Sequence, residues 1–594
     1  MHHSINRSFE FSNIREHFGS GVSRRSVSVA STAVVPKTLR TSVDLHDRIS
    51  ADLDSECETA EPSQTVQTAT AGTRSLASLL PNSRFFSGRD VHFCSIAESA
   101  ATCEPGQLVV YRIGLDSPEE LICDALAHGA AGILTEQILP VPLPQCIVAD
   151  TDRALAELAA QDSIAENGLR PDQRLLTIGI VGENGKGTTA LCLATILRDI
   201  PCRVAYQTDL GHSDGITKEV SEQTKLTGAS LMDHLSQAAD AGAAVSIFEL
   251  DSNVLRRGGY DQIGLDVLVI TSNSSARSDF GPSAVHCALE RVRNDGVVVV
   301  GNEDRRSKRA ISELGLTTLT YGVNISADVS LQTIGVQDGV LTGMIRHEMN
   351  SAMMESHLGQ GVFTASLAAA AAVGVATNNP LVQIAESLSE LRDLPGRCQC
   401  IVSDDWNVSQ ASPRMLLDVA GSPHRMEFIL DSLSGQRQSS SPDVISMNPH
   451  ARAHISNPAK VWCVLSISSG DNEETLARYG RLLETMADHC VLTCEPSSKE
   501  RFLRLSHCVL DGVDDCAAIR LVADQDRAIA WAAHAASPRD TIVVLGGVDR
   551  AAPHTQRQDL QRLQDLMTGL QRQVAGTVAK PVSQTMLKVY QPEG

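Results

Sequence analysis

Leu175-Leu-Thr-Ile-Gly-Ile-Val-Gly182-Glu-Asn-Gly-Lys186-Gly-Thr-Thr189 decides how this chain of 594 residues is read. Its first half is a continuous apolar run, as expected of a strand buried on both faces of a parallel sheet. A Gly-rich turn follows, and TTALCLATILRD continues with helical spacing. A strand, a tight turn and a helix in that order aim free backbone N–H groups and a helix N-terminus at one spot, which favours an anion. Gly182 and Gly185 permit the tight path, and Lys186 supplies a point charge to β- and γ-phosphate oxygens. Thr188 or Thr189 offers a hydroxyl to Mg²⁺. The spacing is not GxxxxGK[ST], because position 180 is Ile and a Gly follows the Lys. The plain alternative is a strand–turn–helix corner with an exposed lysine. The flanking strand and helix favour nucleotide phosphate.

Outward from this loop, strands and helices alternate. LLTIGIVG, AVSIFEL, LDVLVITS and DGVVVVGN read as buried parallel strands; ASLMDHLSQAADA and FTASLAAAAAVGVA read as helices. Leu394-Pro395-Gly396-Arg397 interrupts the preceding helix and reads as a hinge. Beyond it VWCVLSIS, HCVLTCE and DTIVVLGG are strands of another sheet, with LARYGRLLETMA and RAIAWAAHAA as its helices. Before the loop, short β-like runs and helical segments make a smaller α/β unit. The expected organisation is a disordered extension over 1–85, a first domain over 86–170, a central domain over 171–397, a C-terminal domain over 398–575 and a tail over 576–594. Residues 435–458 read as a loop insertion.

Composition narrows the function. Asp and Glu number 71 against 50 Lys and Arg, a formal charge of −21, and such a field repels nucleic acid. Aromatic residues are only 3%, too few for base-stacking platforms. No apolar stretch approaches the ~20 residues that span a bilayer, and the N-terminus shows no apolar signal core. Fifteen scattered cysteines without a CxxC pair read as reduced thiols. The expectation is a cytoplasmic monomer acting on small molecules.

Gly182-Glu-Asn-Gly-Lys-Gly-Thr188 resembles the GTNGK loop of the Mur ligase superfamily, in the GTNGKGS form of folylpolyglutamate synthases, with Glu183 in place of Thr. The resemblance continues in order from about 90 to 575, nearest to the UDP-N-acetylmuramoyl-tripeptide synthetase branch. Glu98-Ser99-Ala100, Glu104–Val110 and Ala125–Ala130 resemble its first-domain pattern, and Glu249-Leu-Asp-Ser-Asn253 its E-x-SSH. Asn302-Glu-Asp304-Arg resembles the NxDD loop, Pro395-Gly-Arg397 the PGR hinge and Asp418–Glu427 the DYAHxPxxLE segment. Asp526-Arg-Ala-Ile529 resembles DRxxAI, and Gly546–Arg550 GKGHE.

This resemblance implies a three-domain α/β architecture, with a central P-loop parallel-sheet ATP-binding domain and a C-terminal Rossmann-like domain. It implies ATP and Mg²⁺ as cofactors, and ATP-dependent amide formation through an acyl phosphate. Gly182, Asn184, Gly185, Lys186, Gly187, Thr188 and Thr189 would hold the nucleotide, and Lys186 and Glu249 would be catalytic. Thr188 and Glu249 would hold the metal. Asn302 would face adenine, Arg397 the phosphates and Asp418 the ribose, with a UDP-muramoyl-peptide-like acid as the second substrate.

Several positions depart from the family pattern. Arg277 stands where the metal-binding His is expected and cannot ligate a metal, and Asn253 replaces the His of SSH. No Lys lies between Lys225 and Lys308, so the carbamylated lysine is absent; Asp251 and Asp279 are the candidate substitutes. Cys494-Glu-Pro-Ser-Ser498 lacks the Arg of the DNPR signature, and Ala100 replaces the Arg of DSR. Two readings follow. One is a divergent ligase; the other is a catalytically degenerate homologue that binds nucleotide in a regulatory or binding role. His424, Cys287, His92 and His128 read as surface or core residues without chemistry.

Overall fold

The computed structural model describes residues 73–578, except 98, 114–115, 199–202, 210, 221–225, 272–281, 338–339, 360, 402–407, 409–410, 420–421, 440–458 and 551–554. Ordered structure begins well before residue 86. β1 (Arg74–Ser75) pairs antiparallel with β3 (His92–Phe93), and β2 (Arg84–Phe86) edges a sheet with β4 (Leu108–Val110), β5 (Gly132–Thr135) and β6 (Gln145–Ile147) in the order β2-β6-β5-β4. The expected extension over 1–85 is therefore too long. Strands of two or three residues show no period in sequence, so Leu76 and Phe93 gave no sign that they are core residues with no exposed surface. Residues 1–72 lie outside the described region.

The central domain is built on β7 (Leu176–Val181), β8 (Arg203–Thr208), β9 (Gly211–Ser213), β10 (Lys218–Val220), β11 (Ala243–Glu249), β12 (Leu265–Ile270), β13 (Val292–Gly301), β14 (Thr317–Val323), β15 (Val329–Gln337), β16 (Val340–His347) and β17 (Asn350–Ser356). Their order is β10-β9-β8-β11-β7-β12-β13-β14-β15-β16-β17. From β8 to β15 the pairing is parallel. β7 lies between β11 and β12, with Ile178, Ile180 and Val181 fully buried, as its apolar run predicts. The antiparallel ribbon β15–β17 is an addition that the sequence reading did not include.

After the hinge, β18 (Gln399–Ile401), β19 (Arg414–Asp418), β20 (Val461–Ile467), β21 (His489–Cys494), β22 (Ile519–Leu521) and β23 (Thr541–Leu545) form a sheet in the order β18-β19-β23-β20-β21-β22. β18 is antiparallel and the others are parallel. The helix Gln556–Val578 closes one face with Leu563, Met567, Leu570 and Val574, so the domain runs past the expected end at 575. The helix Pro423–Ser439 also carries into the expected 435–458 insertion, the rest of which lies outside the described residues. No helix among the described residues is long and apolar enough to cross a membrane, and the described cysteines are free thiols.

The first and central domains meet through the helices Thr151–Asp162 and Gly228–Asp240. The packing is tight: a Cβ on Gly228 would fall 2.7 Å from Ala156 Cβ across the seam, and 1.8 Å from the Gly259 carbonyl oxygen within the central domain itself. Arg257 pairs across the same seam with Asp150, Glu136 (3.2 Å) and Asp152 (3.4 Å).

On the helix Gly228–Asp240, His234 is buried with no hydrogen-bond partner for Nε2 among the described residues. Burial, then the neighbouring His212, lowers its pKa to about 4. The unfolded chain binds this proton first as pH falls. The stability that neutral His234 contributes is thus complete above its ordinary pKa of ~6.5 and is lost on the way down to about 4. Urea unfolding should show a loss of roughly 2 kcal/mol by pH 5 relative to pH 7 that His234→Gln removes. Parallel pH profiles of the two proteins would contradict this account.

Candidate functional site

Four adjacent parallel strands end at one place, the carboxyl edge of the central sheet, where open α/β sheets bind ligands. β7 runs into the Gly182–Gly185 turn and the helix Lys186–Arg198. β11 delivers Glu249, β12 leads into Thr271, and β8 leads into Asp209. The Thr189 amide closes the first turn on the Gly185 carbonyl (2.8 Å). The N–H groups before it have no carbonyl one turn earlier to bond, which is the donor set an anion uses.

The loop is wedged. Gly182 has φ 145°, and a Cβ there would lie 1.9 Å from Thr271 Oγ1. Gly185 has φ 86°, and its Cβ would lie 2.6 Å from Ser366 Oγ on the helix Thr364–Ala376. Gly187 faces carboxylates: its Cβ would sit 2.8 Å from Glu249 Oε1 and 3.1 Å from Asp209 Oδ1. Lys186 Nζ donates to the Gly182 carbonyl (3.0 Å), so the lysine arches over the turn. Asn184, Thr188 and Thr189 are buried beside it, and Thr189 Oγ1 has no hydrogen-bond partner among the described residues.

Glu249 is almost fully buried and accepts the Asp209 amide at 3.1 Å. Burial and the Asp209 charge push its pKa up to about 8, against the pull of Lys186 and Arg397. Desolvation in the cleft also raises Asp209, but Arg397 and Lys186 outweigh it and the carboxyl ends below the usual range. Asp209 Oδ2 pairs with Arg397 across the hinge, beside Gly396 with φ 70°. Asp209 escaped the sequence reading because it belongs to no motif and meets Glu249 only through the pairing of β8 with β11.

The other expected residues lie in defined surroundings. Asn302 donates to the Ser326 carbonyl (2.7 Å) and accepts from Lys308 Nζ (2.8 Å), so both ends of its amide are tied to protein. Asp418 is fully buried, and its Oδ2 accepts from the Cys398 amide (2.9 Å) and from Arg425 Nη2 (2.7 Å). Asp251 caps the short helix Ser252–Arg256 through the amides of Asn253 and Val254, which commits it to a structural task rather than a substitute metal site. Arg277 and Asp279 lie outside the described residues. His424 is half-buried against Arg478 rather than solvated.

In the C-terminal domain the ends of β21 and β23 come together. Arg550 makes a bidentate pair with Asp471 (3.0 and 2.8 Å) and donates from Nε to Glu495 (2.7 Å), while Ser497 bonds Asp549. The two segments that resemble DNPR and GKGHE are therefore in contact, and the guanidinium fork there is held by the protein's own carboxylates.

No protein-family model matches the chain. UDP-N-acetylmuramoyl-L-alanyl-D-glutamate--2,6-diaminopimelate ligase of Thermosynechococcus vestitus is 24% identical over 474 residues, which is 76% of this chain and 87% of that protein. The ligase of the same name from Xylella fastidiosa is 25% identical over 492 residues, 79% of this chain and 92% of its own. Among solved structures, MurF from Acinetobacter baumannii matches with a TM-score of 0.52 at 15% identity, over 84% of this chain and 98% of its own. The chain is similar in sequence to Mur ligases over most of its length and shares their fold. MurF ligase from Thermotoga maritima, solved in complex with ADP, matches with a TM-score of 0.51 at 14% identity over 81% and 98% of the two chains. These structural likenesses establish the Mur ligase fold.

The wedge around this Mur ligase loop has a measurable consequence. Gly182→Ala should cost about 2 kcal/mol in urea unfolding, from the positive φ and the Thr271 contact. Adding Thr271→Ala should restore only part of it, because the Thr271 carbonyl stays 3.1 Å from the new methyl. Full recovery in the double variant would show that the backbone does not constrain this turn.

Proposed function

We propose that the chain is an ATP-dependent ligase that joins a substrate carboxylate to an amine through an acyl phosphate. The observation that carries this reading is the Lys186 turn, which faces a buried carboxylate, Glu249, at the carboxyl edge of the sheet. Curated relatives spanning most of this chain are amide-forming ligases by name, and a fold neighbour was solved with ADP. By that likeness the acid is a UDP-muramoyl-peptide-like molecule and the amine an amino acid.

Each residue has a task in that reaction. The loop amides and Lys186 hold the β- and γ-phosphates and offset charge that builds as the γ-phosphoryl group moves. The residues fit a magnesium ion by their chemistry, since Glu249 and Thr188 are hard oxygen donors beside the phosphate seat. Among the described residues no cluster of three His, Cys, Asp or Glu side chains could hold a metal, which suits an ion held partly by the nucleotide. When bound, such an ion would supply positive charge against the transferring phosphoryl group. Arg397 reaches the site from the hinge, so closing the C-terminal domain brings its charge to the phosphates. Contact of Asn302 with adenine and of Asp418 with ribose requires their present protein partners to yield.

A second reading is nucleotide binding without turnover. Asn253 in place of His, Asp251 committed to a cap, and Arg550 held by Asp471 and Glu495 favour it. Phosphate release from ATP separates the two. The first reading expects release that depends on an added UDP-muramoyl peptide and amino acid and disappears in Lys186→Ala. The second expects no release, yet Mg-ATP still raises the melting temperature. At a hundredfold excess over Kd the gain is about 2.7 kcal/mol, several degrees for a domain of this size, and Lys186→Ala abolishes it. A chain that Mg-ATP neither stabilises nor engages would remove both.

A further inference from the structure

We infer that Asp209 is an exchangeable carboxylate ligand for the divalent cation: Arg397 holds it in the empty site and releases it when a polyphosphate takes the guanidinium. This inference rests on the nucleotide reading above and adds a residue that the metal set of Thr188 and Glu249 does not contain.

The geometry starts at Gly187. The point where its Cβ would stand is 2.8 Å from Glu249 Oε1 and 3.1 Å from Asp209 Oδ1, so carboxyl groups at the ends of two neighbouring strands converge on the helix N-terminus at Gly187. The Asp209 amide donates to Glu249 Oε1, which fixes their spacing. Two carboxyl groups side by side, next to the Thr188 hydroxyl and the phosphate seat, are the oxygen donor set of a magnesium site that takes its remaining ligands from substrate and displaces any proton the pair shares. Across this sequence the usual helpers are missing: Asn253 replaces a histidine, and no lysine lies between 225 and 308.

A second observation comes from the other side of Asp209. Arg397 is nine-tenths buried and aimed into the site, with one nitrogen of its fork on Asp209. Its Nη1 is buried with no hydrogen-bond partner among the described residues. A buried guanidinium nitrogen left over in this way is costly until an anion reaches it, and a planar fork suits phosphate oxygens. A polyphosphate on the Lys186 turn would complete that fork and free Asp209 Oδ2 to turn toward the cation. Because Arg397 lies on the hinge, the exchange ties metal and nucleotide occupancy to the position of the C-terminal domain.

The test uses the full-length chain, Mn²⁺ as a spectroscopic probe and a non-hydrolysable ATP analogue. By titration calorimetry, Mg²⁺ should raise the wild-type affinity for the analogue, and Asp209→Asn should reduce that gain tenfold or more while leaving the metal-free affinity equal or higher. Asp209→Glu should recover most of the gain. By electron paramagnetic resonance without nucleotide, Arg397→Gln should bind Mn²⁺ more tightly than wild type, and adding Asp209→Asn should cancel the improvement. An Mg²⁺ gain that survives in Asp209→Asn, or an Arg397→Gln protein no better at holding Mn²⁺, overturns the inference and leaves Asp209 a mere anchor for Arg397. If the wild type binds no nucleotide, the function proposed above fails, and the Mn²⁺ comparison still decides Asp209.

Discussion

The rest of the structure depends on a steric constraint: the turn after β7 must pass between Thr271, Ser366 and the Glu249–Asp209 pair with no side chains of its own at positions 182, 185 and 187. Each of these neighbours arrives from a different element. The turn can take its shape only when the sheet has paired in the right order and the helix Thr364–Ala376 has docked. The shape of the turn is thus a product of the tertiary fold rather than of the local motif, and Lys186 is held over it by the Gly182 carbonyl.

This explains which parts were legible in the sequence. Strands buried on both faces announce themselves as apolar runs, so the parallel core around β7, β11, β12 and β13 could be read directly, as could the turn that β7 feeds. The turn at Pro395-Gly396 was legible from its residue types, and Gly396 does adopt φ 70°, although the preceding helix already ends at Glu390. What stayed hidden lacks either period or motif. The first domain begins at Arg74 on strands of two and three residues. Asp209 enters the site through strand pairing between segments some forty residues apart, a relation that no local pattern encodes. Asp251 was a candidate on paper and Asp209 was not; the structure has Asp251 capping a helix and Asp209 beside Glu249.

The departures from the family pattern also sort themselves physically. Where the sequence lacks the expected histidine and lysine, Glu249 is buried beside another carboxyl group, Asp209, and burial and that charge raise its pKa against the pull of Lys186 and Arg397. In the C-terminal domain the opposite has happened. Arg550 is a cation placed where two motif segments converge, and Asp471 and Glu495 neutralise it. At the turn two carboxyl groups share one guanidinium, that of Arg397 on Asp209; at Arg550 two carboxylates grip one guanidinium directly.

The seam at Gly228 carries a mechanical consequence. A glycine with no room for a methyl group against Ala156, reinforced by Arg257 against three acidic groups, resists shear between the helices Thr151–Asp162 and Gly228–Asp240. Sliding one past the other would have to disrupt close packing and ion pairs at the same time.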